Sequence, residues 1–215
     1  KIGNQIAIAA RGGTDPATNS ALAMAIEKAK AANMPNANIQ RAIDRVNDKN
    51  AAALEEVTYE AYGPGGVGII VEAATDNKNR TYPEIRTALT KNGGTMADAG
   101  SVMFQFTRKG VIRVAATGED ALLQVLDAGA EDAVEESGGL TVYTDMKDLA
   151  KVRAALVQAG LNVEDAELQY VANNDVPVDD IETARKLMKV LDAVEELDDV
   201  TNVHTNADIT VDIDE

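Results

Sequence analysis

The sequence predicts an α+β protein of three domains: a small N-terminal helical domain and two ferredoxin-like α/β modules, one inserted in the other. Three observations support this prediction. Apolar residues recur at helical spacing in the first fifty residues, β-rich runs then alternate with amphipathic segments, and the charge changes sign along the chain. The predicted boundaries are 1–54 for the helical basic domain, 55–110 with 176–215 for the split domain, and 111–175 for the acidic inserted domain.

The helical domain is predicted from two segments with apolar residues three and four positions apart. Asp15-Pro16 and Asn19 offer starts for the first helix, and Met34-Pro35 ends it. The inner face of the second helix is predicted to consist of Ile39, Ala42, Ile43 and Val46. Arg41 and Arg45 are four residues apart, so both lie on the outer side of that helix.

The split domain is predicted to start with a hairpin. Two β-rich runs, Val57–Tyr62 and Val67–Ala74, flank a Gly-Pro-Gly-Gly turn at 63–66. A helix follows Asp76-Asn77 and ends at Gly93-Gly94. The next strand is predicted from the alternating residues Val102, Phe104 and Phe106.

The inserted domain is predicted from the β-α-β-β-α-β order of a ferredoxin-like unit. Its predicted strands are Val111–Ala115, Ala130–Glu135, Leu140–Thr144 and Val163–Ala172, and its predicted helices are Glu119–Ala128 and Met146–Ala159. A helix over Asp179–Leu197 and a strand over Val200–Thr205 follow. Because the 55–110 segment lacks a second helix and a closing strand, this C-terminal pair is expected to complete it.

Composition excludes several classes of function. The chain has 215 residues, no Cys, and His204 as its one histidine. Thiol nucleophiles, disulfides and iron–sulfur clusters are therefore absent, and a single histidine leaves little basis for a histidine-based metal site or triad. Apolar runs are far shorter than the ~20 residues that span a bilayer, and no charged-then-apolar leader opens the chain. We expect a cytoplasmic protein that is not an enzyme and that holds no cofactor or metal.

Charge is unevenly distributed along the chain. The formal net charge is −16, from 20 Lys and Arg against 36 Asp and Glu. Residues 1–50 hold seven cations and four anions, residues 51–113 hold seven of each, and residues 114–215 hold six cations against 25 anions. An acidic surface kept for solubility explains the total but not this gradient, which indicates an anionic ligand near the N-terminal end.

Nine cationic side chains are the candidate nucleic-acid-binding residues: Arg11, Lys28, Lys30, Arg41, Arg45, Lys78, Arg80, Arg108 and Lys109. Arg can bind phosphate oxygens through two hydrogen bonds, and helix faces away from the core leave such groups accessible. The alternative is a solvated helix face neutralised by Glu27 and Asp44, with Arg108-Lys109 as an ordinary polar turn. We expect these cations to face one shared groove, away from the acidic 114–175 segment.

Lys78 and Arg80 stand at the predicted start of a helix, where the helix dipole disfavours cations. An anion docked among them and the free N–H groups would explain their presence. Their joint replacement by Ala is then expected to leave folding intact. The alternative is a helix cap by Asp76 or Asn77 with incidental charges.

Eight segments together resemble the YebC/PmpR family, whose mitochondrial relatives are translational activators of cytochrome c oxidase. They are Ala9–Gly13, Asp15-Pro16, Asn33–Pro35, Ile39–Ile43, Tyr59–Val67, Thr75–Thr81, Gly100–Val102 and Arg108–Gly110. The resemblance implies a three-domain protein without catalytic residues. It also implies a DNA-binding transcriptional regulator, or a ribosome-associated translation factor as other members are described. A basic segment before Lys1 is a further expectation from this resemblance.

The sequence therefore predicts a non-enzymatic nucleic-acid-binding regulator of gene expression, with DNA or ribosomal RNA as partner. One alternative is a ribosome-associated translation factor, and a second is an acidic protein-interaction scaffold. No helix-turn-helix, RRM or KH signature is visible, so recognition of backbone and shape is expected. A membrane or a small-molecule substrate is not expected as a partner.

Overall fold

A computed structural model describes residues 1–214 and divides the chain into two compact units. The first unit comprises Lys1–Thr107 and the chain from Val171 onward, and the second comprises Arg108–Tyr170. The described residues form seven α-helices and ten β-strands, which confirms the α+β class. Among these residues, no helix is both long enough and apolar enough to cross a membrane.

The elements alternate along the chain. The helices are α1 (Ile2–Ala10), α2 (Ser20–Ala31), α3 (Asn36–Asp44), α4 (Lys78–Lys91), α5 (Glu119–Asp127), α6 (Leu149–Gln158) and α7 (Ile181–Glu195). The strands are β1 (Glu55–Tyr62), β2 (Gly68–Thr75), β3 (Thr95–Met96), β4 (Phe106–Val114), β5 (Asp132–Glu136), β6 (Gly139–Thr144), β7 (Val163–Ala172), β8 (Val176–Val178), β9 (Val200–Thr205) and β10 (Ala207–Ile209). Short 3-10 turns occupy Arg45–Asn47, Met103–Gln105 and Met146–Asp148.

The N-terminal helices α1, α2 and α3 share a small apolar core. Its fully buried members include Ile6 and Leu22, with Ile39 and Ile43 contributed by α3. Asn19 caps α2 by accepting a hydrogen bond from the Leu22 N–H at 3.1 Å, so of the two predicted starts the structure selects Asn19 over Asp15-Pro16. Its side-chain amide also donates to the carbonyl of Ala9 at 2.7 Å, so one residue joins the end of α1 to the start of α2.

Val46 does not lie on the inner face of α3 as predicted. The helix ends at Asp44, and the chain continues in a 3-10 turn that leaves Val46 40% exposed. The change from 3.6 to 3 residues per turn rotates the side chain away from the core.

The main sheet of the first unit has the strand order β3-β1-β2-β9. The predicted hairpin is confirmed: β1 and β2 pair antiparallel from Glu55↔Thr75 to Tyr62↔Gly68. Strand β2 is central and is buried along almost its whole length. Ile69 and Val71 of β2 pack into the core that α4 and α7 also supply.

The first unit differs in connectivity from the predicted ferredoxin-like module. Its main sheet has four strands, of which β3 was not predicted, and α4 and α7 contribute to its core; the central strands of the sheet are β1 and β2, a hairpin. A ferredoxin-like sheet instead places its first and third strands at the centre. The alternating pattern of the sequence identifies the elements but leaves the order of strands in the sheet open.

Two three-residue strands, β8 and β10, pair in parallel and escaped prediction because they are so short.

The second unit has the predicted β-α-β-β-α-β succession, β4-α5-β5-β6-α6-β7. Its strand order, β5-β6-β4-β7, corresponds to 2-3-1-4 within the unit, which is the ferredoxin-like arrangement. Its fully buried side chains include Ile112 and Leu140 of the sheet, Val125 of α5 and Leu156 of α6. The sheet and both helices of this unit therefore supply its core.

The predicted strand through Val102, Phe104 and Phe106 is wrong. Residues Met103–Gln105 form a 3-10 turn, Phe104 is 72% exposed, and β4 starts only at Phe106. The reason lies in β1, where the buried Glu60 carboxylate accepts hydrogen bonds from three backbone N–H groups. These belong to Gly100 at 2.6 Å, Val102 at 2.9 Å and Met103 at 2.6 Å. Converging N–H groups require a curved loop, which an extended strand cannot supply.

Burial raises the pKa of Glu60, but the three N–H donors lower it by more. Its pKa in the folded protein therefore lies below the ordinary glutamate value. The resulting stabilisation is present above that ordinary value, near pH 4.3, and is lost as the pH falls through the lowered pKa.

We expect Glu60→Gln to reduce the free energy of unfolding by about 2–3 kcal/mol at pH 7, because charge-assisted hydrogen bonds are lost and an amide N–H₂ opposes backbone donors. Urea unfolding measures this difference, which should shrink below about pH 4 as the wild-type carboxylate protonates. The matched control is Glu84→Gln on the exposed side of α4, which should change stability by less than about 0.5 kcal/mol. Equal effects of the two substitutions would contradict the role assigned to Glu60.

Candidate nucleic-acid interface

The N-terminal helices place three of the candidate cations in exposed positions and two in half-buried ones. Arg11 directly follows α1, Lys30 lies in the last turn of α2, and Arg41 lies in the last turn of α3. These three residues are exposed, whereas Arg45, in the following 3-10 turn, is half-buried. Lys28, two residues before Lys30, is also half-buried. Cations in a last turn are favoured by the helix dipole, so these positions carry no conformational penalty.

The segment Thr75–Thr81 forms the junction between β2 and α4. Asn77 is the cap of α4, and its side-chain oxygen accepts from the Arg80 N–H at 3.3 Å. The Asn77 N–H in turn donates to the Thr75 hydroxyl at 2.9 Å. Of the two capping residues considered from the sequence, the structure therefore selects Asn77 over Asp76.

Arg80 is bound to carboxylates of the protein itself. Its Nε donates to Asp199 Oδ2 at 3.1 Å, and its Nη2 donates to Asp199 Oδ1 at 2.9 Å. Nη2 also contacts Asp76 Oδ1 at 3.1 Å. The hydrogen bonds to Asp199 and then Asp76 raise the pKa of Arg80, which is in any case charged at all ordinary pH. The Asp199 side chain is only 9% exposed and also accepts from the Thr81 hydroxyl at 2.7 Å.

Lys78 has an internal partner as well, although an exposed one. Its Nζ lies 2.7 Å from Glu55 Oε2, and both side chains are more than half exposed. The hydrogen bond from Lys78 lowers the pKa of Glu55, with a smaller contribution from the charge of Arg11. Anions that balance the start of α4 are thus supplied by the protein: Glu55, Asp76 and Asp199.

These contacts change the interpretation of the cations at the start of α4. The sequence argument required an external anion there, whereas carboxylates from β1 and from the residue before β9 already occupy both side chains. They also contradict the expectation that removing Arg80 leaves folding intact, because Asp199 would then remain buried without its cationic partner.

Two of the candidates from distant parts of the sequence are brought together. Asp76 contacts both arginines: its Oδ2 lies 3.6 Å from Arg45 Nη2, and its Oδ1 contacts Arg80. Arg45 also donates to Asn4 Oδ1 at 3.5 Å. The helical region thereby contacts the junction of β2 and α4 through a shared carboxylate.

Arg108 and Lys109 lie in the second unit. The Arg108 guanidinium sits 4.5 Å from the centre of the Tyr170 ring, a cation–π contact. Lys109 Nζ lies 3.4 Å from Glu131 Oε2. Both side chains are half-buried. The shared groove expected from the sequence stays a prediction.

The sequence analysis does not identify Asp199 as a structural residue. No local pattern indicates this role, because its partners Arg80 and Thr81 are 119 and 118 positions away. His204 forms a partly buried pair with Glu72, with 2.8 Å between Nε2 and Oε2. In the part of the chain that is described, no group of three or more His, Asp or Glu side chains is arranged to hold a metal ion.

Fold and surface chemistry define an α+β protein with a helical N-terminal region of net positive charge. A family model described as the TACO1/YebC protein N-terminal domain matches residues 1–49, and one described as the TACO1/YebC second and third domain matches residues 54–207. The chain therefore belongs to the TACO1/YebC family. The three-domain boundaries predicted from the sequence stay a prediction.

Named relatives support the same family. A probable transcriptional regulatory protein of Parafrankia sp. (strain EAN1pec) is 46% identical over 220 residues, which cover 99% of this chain and 87% of that protein. A probable transcriptional regulatory protein of Moorella thermoacetica is 48% identical, with 97% and 86% covered. The crystal structure of a conserved hypothetical protein from Aquifex aeolicus is similar with a TM-score of 0.93 at 40% identity, covering 99% of this chain and 89% of that one.

We expect Arg80→Ala to lower the thermal midpoint of unfolding, because it leaves the Asp199 carboxylate buried without its cationic partner. Arg80→Lys should restore little of the loss, since an ammonium cannot reproduce the two-pronged contact. The matched control is Arg86→Ala, an exposed cation further along α4. Differential scanning calorimetry that found the same midpoint for Arg80→Ala and Arg86→Ala would show that the pair with Asp199 contributes nothing.

Proposed function

We propose that this protein is a non-enzymatic, cytoplasmic regulator of gene expression that binds nucleic acid through its N-terminal helices. The proposed phosphate contacts are Arg11, Lys30, Arg41 and Arg45. One observation carries the proposal: in a chain of net charge −16, the first fifty residues hold seven cations against four anions, whereas residues 114–215 hold six cations against 25 anions. The relatives' name, probable transcriptional regulatory protein, supports a regulatory role.

Ion pairs within the protein divide the candidate cations into those with a carboxylate partner and those without one. Among residues 1–214, Arg11, Lys30 and Arg41 have no ion-pair partner within 4 Å. Arg45 has a carboxylate at 3.6 Å, but its five donors leave room for a phosphate as well. Arg80, Lys78 and Lys109 have closer carboxylate partners. A phosphate would have to compete with those carboxylates, so we assign these three cations a minor part in binding.

Contacts to phosphate give affinity and position, and they carry no base sequence by themselves. DNA is favoured as ligand by the relatives' name. The absence of a base-reading motif from the sequence favours recognition of backbone and shape, which suits structured ribosomal RNA and a role in translation. A role as an acidic scaffold for a protein partner would instead leave nucleic-acid affinity negligible.

We expect log Kobs for nucleic acid to fall linearly with log salt, with a slope of about −3 to −4 on duplex DNA or about −3 on single strands. Four engaged cations give this value, because each neutralised phosphate releases about 0.9 or about 0.7 counterion, respectively. Fluorescence anisotropy at several salt concentrations measures the slope. Arg41→Ala should weaken binding at every sequence and reduce the slope by about one.

The control for this series is Lys151→Ala, which removes the same charge from an exposed position of α6 in the second unit. It should leave both the affinity and the slope unchanged. A salt-independent affinity, or equal losses for Arg41→Ala and Lys151→Ala, would contradict the proposed interface.

A further inference from the structure

A cavity of ≈ 140 Å³ opens between the N-terminal helices and the segment that leads into β1. Its charged lining comprises Arg11, Arg45 and Asp48, and its apolar lining includes Val46 and the three alanines at 51–53. Two of the proposed phosphate contacts therefore border an apolar space. We propose that this cavity receives the base of one unstacked cytosine nucleotide, whose phosphate is held by Arg11 and Arg45. The proposal rests on the nucleic-acid-binding function argued above.

The charged part of the cavity lining matches the phosphate of a nucleotide, and the apolar part matches its base. Guanidinium groups bind phosphate through paired hydrogen bonds and also stack on the faces of bases. The apolar part, which Leu54 and Ala7 complete, suits an aromatic ring. Val46, one of the large apolar side chains left exposed by the fold, gains a partner when a ring enters. A free phosphate would use the two arginines but would leave the apolar wall uncovered.

The volume of the cavity limits which base can enter it. An engineered protein cavity of about 150 Å³ holds one benzene molecule. The present cavity of ≈ 140 Å³ thus accommodates a single six-membered ring, which favours a pyrimidine over a purine.

The carboxylate in the lining distinguishes between the pyrimidines. Asp48 Oδ1 already accepts from the Asn50 N–H at 2.9 Å, and its other oxygen has no hydrogen-bond donor among the described residues. Cytosine presents an amino donor at N4, where thymine and uracil present a carbonyl oxygen that a carboxylate repels. The geometry therefore points to cytosine.

Anisotropy with fluorescein-labelled single-stranded 12-mers at neutral pH tests this assignment. The probes are oligodeoxycytidine, oligothymidine, and a strand of the same length that is abasic at every position. We expect the protein to bind oligodeoxycytidine about tenfold more tightly than the abasic strand, since one base stacked in a pocket contributes a factor of that order. Ala52→Leu, which adds bulk to the lining of the cavity, should bind both strands with the affinity of the parent for the abasic strand.

Two controls keep the test decisive. Ala37→Leu adds the same side chain at an exposed position of α3 and should retain the preference for bases. Titration of the unaltered protein with cytidine monophosphate, followed by NMR, should shift the amides of residues 51–54, whereas inorganic phosphate should not. This second measurement does not depend on the folding of any variant.

The outcomes separate the two proposals. Tight, salt-dependent binding that is equal for the cytidine and abasic strands would overturn the cavity assignment and leave the phosphate contacts standing. Equal affinity for oligodeoxycytidine and oligothymidine would overturn the choice of cytosine and the part given to Asp48. No binding of any strand would overturn both the cavity assignment and the proposed function.

Discussion

The buried carboxylate of Asp199 is the interaction on which the arrangement of the first unit depends. A carboxylate that is 9% exposed needs a cation and hydrogen-bond donors, and Arg80 and Thr81 supply them from the first turn of α4. Asp199 also accepts, through its backbone carbonyl, from the N–H of Ala74 at the end of β2. The start of β9, the end of β2 and the start of α4 are thereby fixed together, although a whole inserted unit separates them in sequence.

From this junction the constraint extends to the N-terminal helices. Arg80 holds Asp76, and Asp76 also faces Arg45, which follows α3. Two further bonds connect α1 to the sheet: Asn4 donates to the Ala74 carbonyl at 3.5 Å, and Gln5 donates to the Thr201 carbonyl at 3.4 Å. The cations of the first unit consequently occupy two kinds of position. Those at the junction hold elements together, and those on the outer sides of α2 and α3 remain accessible to a ligand.

Much of the fold was predictable because periodic patterns are local. The predicted bounds of β7 and β9 agree with the structure, and the hairpin and α4 differ by only a few residues at their ends. The strand through Phe104 failed because Glu60, about forty positions earlier, imposes a loop there. Period-two alternation cannot reveal a distant carboxylate. The order of strands in the first sheet depends likewise on pairings between β2 and β9 that no local pattern contains.

The sequence indicates the region of the proposed interface but not which of its cations are accessible. Net charge along the chain indicated the N-terminal helices, and helical spacing placed Arg41 on an outer face. Whether a given cation is accessible or paired depends on contacts across the fold, such as that between Arg80 and Asp199, 119 positions apart. The cavity beside Arg11 and Arg45 arises from the packing of three segments around small side chains, and no spacing of residues announces it.

The central claim is that accessible cations of the helical region bind nucleic acid, whereas the cations at the junction of β2 and α4 are structural. Hydrogen–deuterium exchange with and without bound nucleic acid tests this claim most directly. The account predicts that the ligand slows exchange in peptides from residues 20–47 and leaves peptides from residues 78–91 unchanged. Protection of residues 78–91, or of the second unit, with residues 20–47 unaffected would contradict it.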